Sequence, residues 1–336
     1  MGEKLIKPYF ENENIHAIAI PLPDLSNLIT SNLYAIGKGP ITLIDTGLKS
    51  VGTLDFVCSR LAKFGFSLGD VNRIIITHGH MDHFGLAASI REAVGRPIDC
   101  FIHEEDKWQV SSNNFMQEMW TEEADRLMAM AGVPRQETEK VRNRFLSFKE
   151  LGDPLDGVLG MNDGDEFLGE GYCLKIVHTP GHTPGSCCVF ETQQRILFSG
   201  DHIIKHITPN PFVVIDRSRL QNQNYQSLKA YLESLEKVLK LEVRYVFPGH
   251  GSDIDDLPEI VSAFRKHHLD RIELIWHILN KGRKPLYEIA VEVFGIIPDG
   301  EAFLAISEII VHLEMLIERR RAELVEQGPP AIFRAL

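Results

Sequence analysis

The sequence predicts a mixed α/β fold, shading into α+β, followed by a smaller helical domain. Three observations carry that prediction. Short apolar, β-branched runs alternate with helical spacing through the first half of the chain. The strand pattern resumes near residue 172 after a helical stretch. From about residue 256 the pattern is helical almost to the end, a composition shift that marks a boundary between 1–255 and 256–336. A chain of 336 residues has room for one large domain and one small one.

In chain order, HAIAIPLP (16–23) and NLYAIG (32–37) read as strands, GKGP (37–40) as a turn, and ITLIDTG (41–47) as a strand ending at glycine. Residues 50–66 put Leu54, Val57, Cys58, Leu61 and Phe64 on one helical face. RIIIT (73–77) is a strand, FGLAASIREAVG (84–95) a helix and IDCFIH (98–103) a strand. Residues 104–150 lack strand signals and are rich in Glu, Met and Trp (Met116, Met119, Trp120, Met128, Met130). They read as a helical insertion, either a lid over a site or helices with one face in the core. YCLKIVHT (172–179), CCVFET (187–192), RILFSG (195–200) and VRYVF (243–247) are strands, with a helix at 224–240. Helices follow at 258–280, 285–294 and 301–326, then a short tail, AIFRAL.

Composition excludes some classes. A net charge of −12 argues against a general binder of nucleic acid or anionic membrane. The opening MGEKLIKPYFENENIH has no apolar stretch like that of a signal peptide, and no run is long enough to span a bilayer. Five cysteines without a C-x-x-C pair suit reduced thiols and a cytoplasmic setting. Cys187 and Cys188, adjacent in a strand, should point to opposite faces as packing residues.

The chemistry-bearing signal is His78-Gly79-His80-Met81-Asp82-His83, directly after RIIIT. Strand ends present side chains into the crevice above a sheet. Alternate residues of an extended segment share a direction, so His78 and His80 reach one ion. Asp82 and His83, beyond the turn, reach a second. Imidazole with carboxylate suits zinc, iron, manganese or cobalt. In His178-Thr-Pro-Gly-His182-Thr-Pro-Gly, two Pro-Gly pairs fix His182 in a rigid turn, whereas His178 reads as a core or supporting residue. Phe198-Ser-Gly-Asp201 and Phe247-Pro-Gly-His250 add one candidate each at strand ends.

The order of these four motifs, with Asp45 in LIDTG, resembles the metallo-β-lactamase-fold hydrolase superfamily over about residues 14–252. The resemblance implies an αββα sandwich, two sheets flanked by helices, with metals at one edge. It implies that His78, His80 and His182 hold one metal and Asp82, His83 and His250 a second, with Asp201 bridging. Asp82 and Asp201 are then the catalytic carboxylates, and Asp45 orients a histidine by a hydrogen bond. Two divalent ions, zinc first and iron or manganese next, would activate water for hydrolysis.

Among branches, His80 stands where diiron oxygen-reductases carry glutamate, and the Asp201 position is not acidic in antibiotic-hydrolysing members. Glyoxalase II-like thioesterases are closer, although HFGLA replaces their HxGG and no glutathione-binding basic set is evident. The expected substrate is therefore a small-molecule ester, thioester or lactone. The alternatives are an (endo)ribonuclease or phosphodiesterase and, behind it, a mononuclear-iron oxygenase. The C-terminal helices resemble the winged-helix-like tail of some members, an endoribonuclease branch included. Residues 256–336 nevertheless carry ten Lys and Arg against thirteen Asp and Glu. Arg319–Arg321 reads as a solvated face. His267 and His268 either reach the site or pack, and Leu304, Ile309, Ile310, Leu313 and Leu316 pack on the main domain or on a second copy of the chain.

Overall fold

A computed structural model describes residues 14–22, 29–112, 120–215, 220, 222 and 224–336. The expectations for the first thirteen residues, Pro23, Met116 and Met119 lie outside them.

The first sheet has six strands in the order β1 (Ile15–Pro21), β2 (Thr30–Ile36), β3 (Ile41–Ile44), β4 (Val71–Ile75), β5 (Asp99–His103) and β6 (Leu159–Met161). β1–β3 are antiparallel and β3–β6 parallel. The second sheet runs β11 (Tyr245–Pro248), β10 (Ile196–Gly200), β9 (Cys187–Glu191), β8 (Tyr172–His178) and β7 (Glu166–Gly169). Here only β10 and β11 are parallel.

Period-2 alternation makes each sheet two-faced. Ile36, Ile44 and Ile75 of the first sheet pack against Ile176, Val189 and Phe198 of the second in one apolar layer. Leu43, Ile74 and Ile102 face the other way, onto α1 (Thr53–Lys63) and, beyond α2 (Met81–Phe84), α3 (Ala87–Val94). Cys187 lies in the inter-sheet layer and Cys188 on the outer face, as strand alternation requires. The result is the αββα sandwich.

α4 (Glu122–Ala131) and α5 (Arg135–Ser147) form the insertion, α6 (Ser227–Leu239) covers the second sheet, and α7 (Leu257–Asn280), α8 (Leu286–Phe294) and α9 (Ala302–Glu318) build the helical lobe. Asp256 caps α7 by accepting from Glu259 N at 2.9 Å, with Pro258 in the first turn where no amide is needed. Residue 256 is not a clean division. The start of α7 (Val261, Phe264) packs on the second sheet, while its end (Ile272, Ile275, Leu279) enters the lobe core. Met128 and Val141 of the insertion share that core with Ile306, Ile309 and Leu316. The apolar faces of α4 and α5 are thus buried, and α9 buries Ile309, Leu313 and Leu316 within its own chain.

Three expectations need correction. The helix predicted to residue 326 stops at Glu318, because Arg320 turns the chain at φ 56° and β13 (Ala322–Glu326) begins. The expected tail is β14 (Ile332–Ala335), completing a three-stranded β12-β14-β13 sheet with β12 (Lys284–Pro285) and giving the lobe its wing. β6 and β7 went unread, being short, and the residues of β7 mostly exposed, so neither carries apolar alternation.

Candidate metal centre

Parallel pairing brings the motifs to one edge. β3 and β4 run side by side, so Asp45 and His78 emerge together; β10 and β11 do likewise for Asp201 and His250. The backbone amide of Cys187, which opens β9, donates to Thr77 O at 2.9 Å and draws the β8–β9 loop bearing His182 to the same place. Asn32 Nδ2 donates to Pro248 O and Gly251 O, both at 2.9 Å, pinning the turn that carries His250. Gly249 is required there, since a Cβ would lie 2.6 Å from Asp201 Oδ1 and 2.7 Å from His83.

All seven motif residues converge. Possible ligand atoms of His78, His80 and His182 form one group, those of Asp82, His83 and His250 another, and those of His78, His83 and Asp201 lie between, each within 4.8 Å. His80 Nδ1 is 3.0 Å from both His78 Nε2 and His182 Nε2. Asp201 Oδ1 is 3.3 Å from His83 Nε2 and from His250 Nε2, while Oδ2 is 3.6 Å from His182 Nε2. Asp201 therefore faces both groups. Asp82 Oδ2 lies 3.3 Å from His250 Nε2.

The outer nitrogens fix the tautomers. His182 Nδ1 donates to Asn210 O at 2.9 Å and His250 Nδ1 to Thr30 O at 2.7 Å; carbonyls only accept, so each Nδ1 carries a proton and each ring turns its Nε2 inward. His83 Nδ1 donates to Asp45 Oδ2 at 2.8 Å, and Asp45 also accepts from Thr77 N and Oγ1 at 2.8 and 2.9 Å. Asp45 thus holds His83 Nδ1 and Thr77 together, from a backbone at φ 57°.

Electrostatics divides the two groups. Burial lowers His78, His182 and His80, the last to about 3, so these rings stay neutral. Burial also opposes charge on His83 and His250, but the Asp201, Asp45 and Asp82 carboxylates prevail, raising His83 and bringing His250 to about 10. Burial works against ionising Asp82 and Asp201, yet His83 and His250 hold both below the usual carboxylate range.

The donor set fits divalent cations. Buried His83 Nε2, His250 Nε2 and Asp201 Oδ1 make no hydrogen bond, though they face one another at 3.3 Å. Unsatisfied buried atoms of this kind are costly unless something positive lies among them. Five imidazoles and two carboxylates with no thiolate suit zinc, iron or manganese.

Beside the first group opens a cavity of about 190 Å³, lined by Trp108, Thr121 and Glu123 of the insertion, by His182, Thr183 and Pro184, and by Phe212–Ile215. Phe212 sets its ring 5.3 Å from His80 and 5.2 Å from His182. The helical lobe backs this wall, with Ser307 Oγ accepting from Val213 N at 2.8 Å. The described part of the insertion packs one face in the lobe core and lines the cavity with Trp108, Thr121 and Glu123.

Other histidines separate cleanly. His178 Nε2 donates to the Pro184 carbonyl at 2.8 Å, and its ring stacks on His103 at 3.9 Å, outside the centre. His268 is buried against His312 and does not reach the centre. Sequence reasoning missed Phe212 and Trp108, which carry no motif. It also missed Asp106, which sits in an acidic run, Glu104-Glu105-Asp106, and carries no motif of its own.

The family model described as metallo-beta-lactamase superfamily matches residues 27–250. The chain is 22% identical over 325 residues to a probable metallo-hydrolase, YqjP, of Bacillus subtilis, covering 96% of this chain and 98% of that one. It is 26% identical over 298 residues to the lactamase-like protein nscB of Aspergillus fumigatus, covering 82% and 69%. In structure it is similar to a metallo-beta-lactamase family protein of Thermus thermophilus, with a TM-score of 0.80, 26% identity, and coverage of 96% and 99%. A beta-lactamase domain protein of Burkholderia ambifaria gives a TM-score of 0.81 at 20% identity, with coverage of 99% and 96%.

Proposed function

Because the chain belongs to the metallo-beta-lactamase superfamily, we propose that it is a two-metal hydrolase acting on a small ester, thioester or lactone with an apolar acyl group. His78, His80 and His182 would hold one ion and Asp82, His83 and His250 the other, with Asp201 between them. Zinc is the first expectation. When bound, the ions would supply an acidified water and an electrophile for the carbonyl.

The observation that carries the substrate reading is the cavity. Trp108, Phe212, Val213, Val214 and Ile215 make it largely apolar, and no Lys or Arg lines it among the described residues. An acyl group seated there abuts His182 and Phe212, which exclude bulk water from the histidine side of the centre. Water enters where Asp82 lies half-buried, 24% of its side chain exposed. Asp82 and Asp201, the two carboxylates that face His83 and His250, would anchor the ions' positive charge. A phosphodiester chain would want a basic groove. Within the Arg319–Arg321 run, Arg321 is already paired with Glu273 and lies over the Trp276 ring.

Elemental analysis, paired with assays on an acyl thioester, a lactone and single-stranded RNA before and after chelation, tests this. About two metals per chain and chelator-sensitive thioester or lactone cleavage are expected. RNA cleavage alone would replace the substrate reading with a nuclease, and one iron without hydrolysis would replace it with an oxygenase.

A further inference from the structure

The first group draws its nitrogens from two loops that belong to different sheets. His78 and His80 follow β4, and His182 lies between β8 and β9. Their ring atoms meet at 3.0 Å only if those loops are held in register. We propose that Asp106 is the positioning residue that clamps them, and so sets the affinity of the first metal group. This rests on reading His78, His80 and His182 as metal ligands.

Asp106 lies in the turn after β5 and is wholly buried. Each carboxylate oxygen accepts two hydrogen bonds. Oδ2 takes Gly79 N at 2.9 Å and Thr183 Oγ1 at 2.6 Å; Oδ1 takes Gly185 N at 2.7 Å and Gln109 Nε2 at 2.8 Å. Gly79 is the residue between His78 and His80, and Thr183 follows His182. One side chain thus reaches both loops within a residue of all three nitrogens' owners.

The chemistry requires a carboxylate. All four donors are neutral, so the buried charge is tolerated only because both oxygens are saturated. An amide would offer one acceptor oxygen and turn an NH2 toward donors. The loops also approach too closely for side chains of their own: a Cβ on Gly185 would lie 2.6 Å from Asp106, and one on Gly79 2.9 Å from Gln109. Asp45 plays the matching part for the second group through Thr77 and His83. Each group then has one buried carboxylate behind it.

The test is Co2+ titration of the chelator-stripped full chain, followed by visible absorption and calorimetry, with melting temperature measured alongside. Asp106→Asn should weaken one of the two sites about tenfold or more and leave the other unchanged. That loss should persist in a His250→Ala background, where the first group alone binds, and vanish in a His182→Ala background. Thr183→Val, which removes one of the four bonds, should weaken the same site several-fold in a protein that melts like the parent. Unchanged Co2+ affinity in both variants, or equal weakening at both sites, would overturn the clamp. A parent chain that takes up no Co2+ would instead overturn the metal reading, before any variant is compared.

Discussion

Two groups of buried histidines sit in this chain and do different things. At the sheet edge, five imidazoles converge with two carboxylates, and their inward nitrogens lack hydrogen bonds or crowd one another at 3.0 Å. Below α6, His268 and His312 are equally buried, yet they bond to each other, Nδ1 to Nε2 at 3.0 Å, with His312 Nδ1 donating to Glu308 O and His268 Nε2 alone of the pair left without a partner. Burial is common to both, so burial does not mark a site. What differs is the company. The edge histidines turn their inward nitrogens on carboxylates and on one another; the helical pair meets Arg271, His267 and the Tyr231 ring and engages three of its four ring nitrogens with itself and Glu308 O.

The sharpest way to break that contrast is to remove the anion that faces both ligand groups. Asp201→Asn should lower hydrolysis by at least about a thousandfold, since water activation and charge stabilisation fail together. Metal content should fall while far-UV circular dichroism stays put. His312→Leu should leave activity within about twofold, because no substrate contact is lost. If it silences the protein, the helical pair belongs to the centre after all.

Asp45→Asn comes next. Its carboxylate carries three hydrogen bonds, one of them from His83 Nδ1. An amide can present its NH2 to His83 and reverse the tautomer, so metal affinity at the second group should drop by about 10- to 100-fold. Calorimetric metal titration reads this directly, with the first group as internal reference.

Smaller again is the wall. Phe212→Ala should raise KM for an apolar acyl substrate about tenfold, the loss of roughly 1.4 kcal/mol of apolar contact. Turnover should change less, because the ligands stay in place. A fall in kcat with KM unchanged would show that Phe212 holds His80 and His182 rather than substrate.

How legible was all this? The strand-end placement of His78–His83, Asp201 and His250 was readable because parallel neighbours end at a common edge, and strand periodicity survives in RIIIT and RILFSG. His182 was readable because two Pro-Gly pairs announce a rigid turn. Asp106 was not, because its role depends on two loops distant in sequence, 27 and 79 residues away. Phe212 was not, because an apolar residue in a loop carries no period. The wing strands failed for a third reason: RRRAELVEQ continues helical spacing past the point where Arg320, at φ 56°, ends the helix.

The helical pair gives the subtlest test, one that should leave the metal centre untouched. Burial brings His268 down to about 2 and His312 to about 3, where the unfolded chain would take up protons near 6.5. As pH falls below about 6.5 the unfolded state binds protons that the folded pair refuses, so stability declines. It is fully present above that value and is lost progressively toward pH 3. Each imidazole contributes at most about 1.4 kcal/mol per pH unit across the window. His78, His80 and His182 are lowered too, so the parent's slope alone decides nothing. The informative quantity is the difference between the parent and a His268→Leu/His312→Leu double variant, both loaded with metal. Removing both ends of the bond together leaves no orphaned donor, so stability at pH 7.5 should change little. Between pH 6.5 and 5 the double variant should lose stability less steeply, by denaturant titration, with metal content unchanged at each pH. Parallel slopes would mean that the pair already accepts a proton in the folded state, at His268 Nε2, the nitrogen its 3.0 Å contact leaves open.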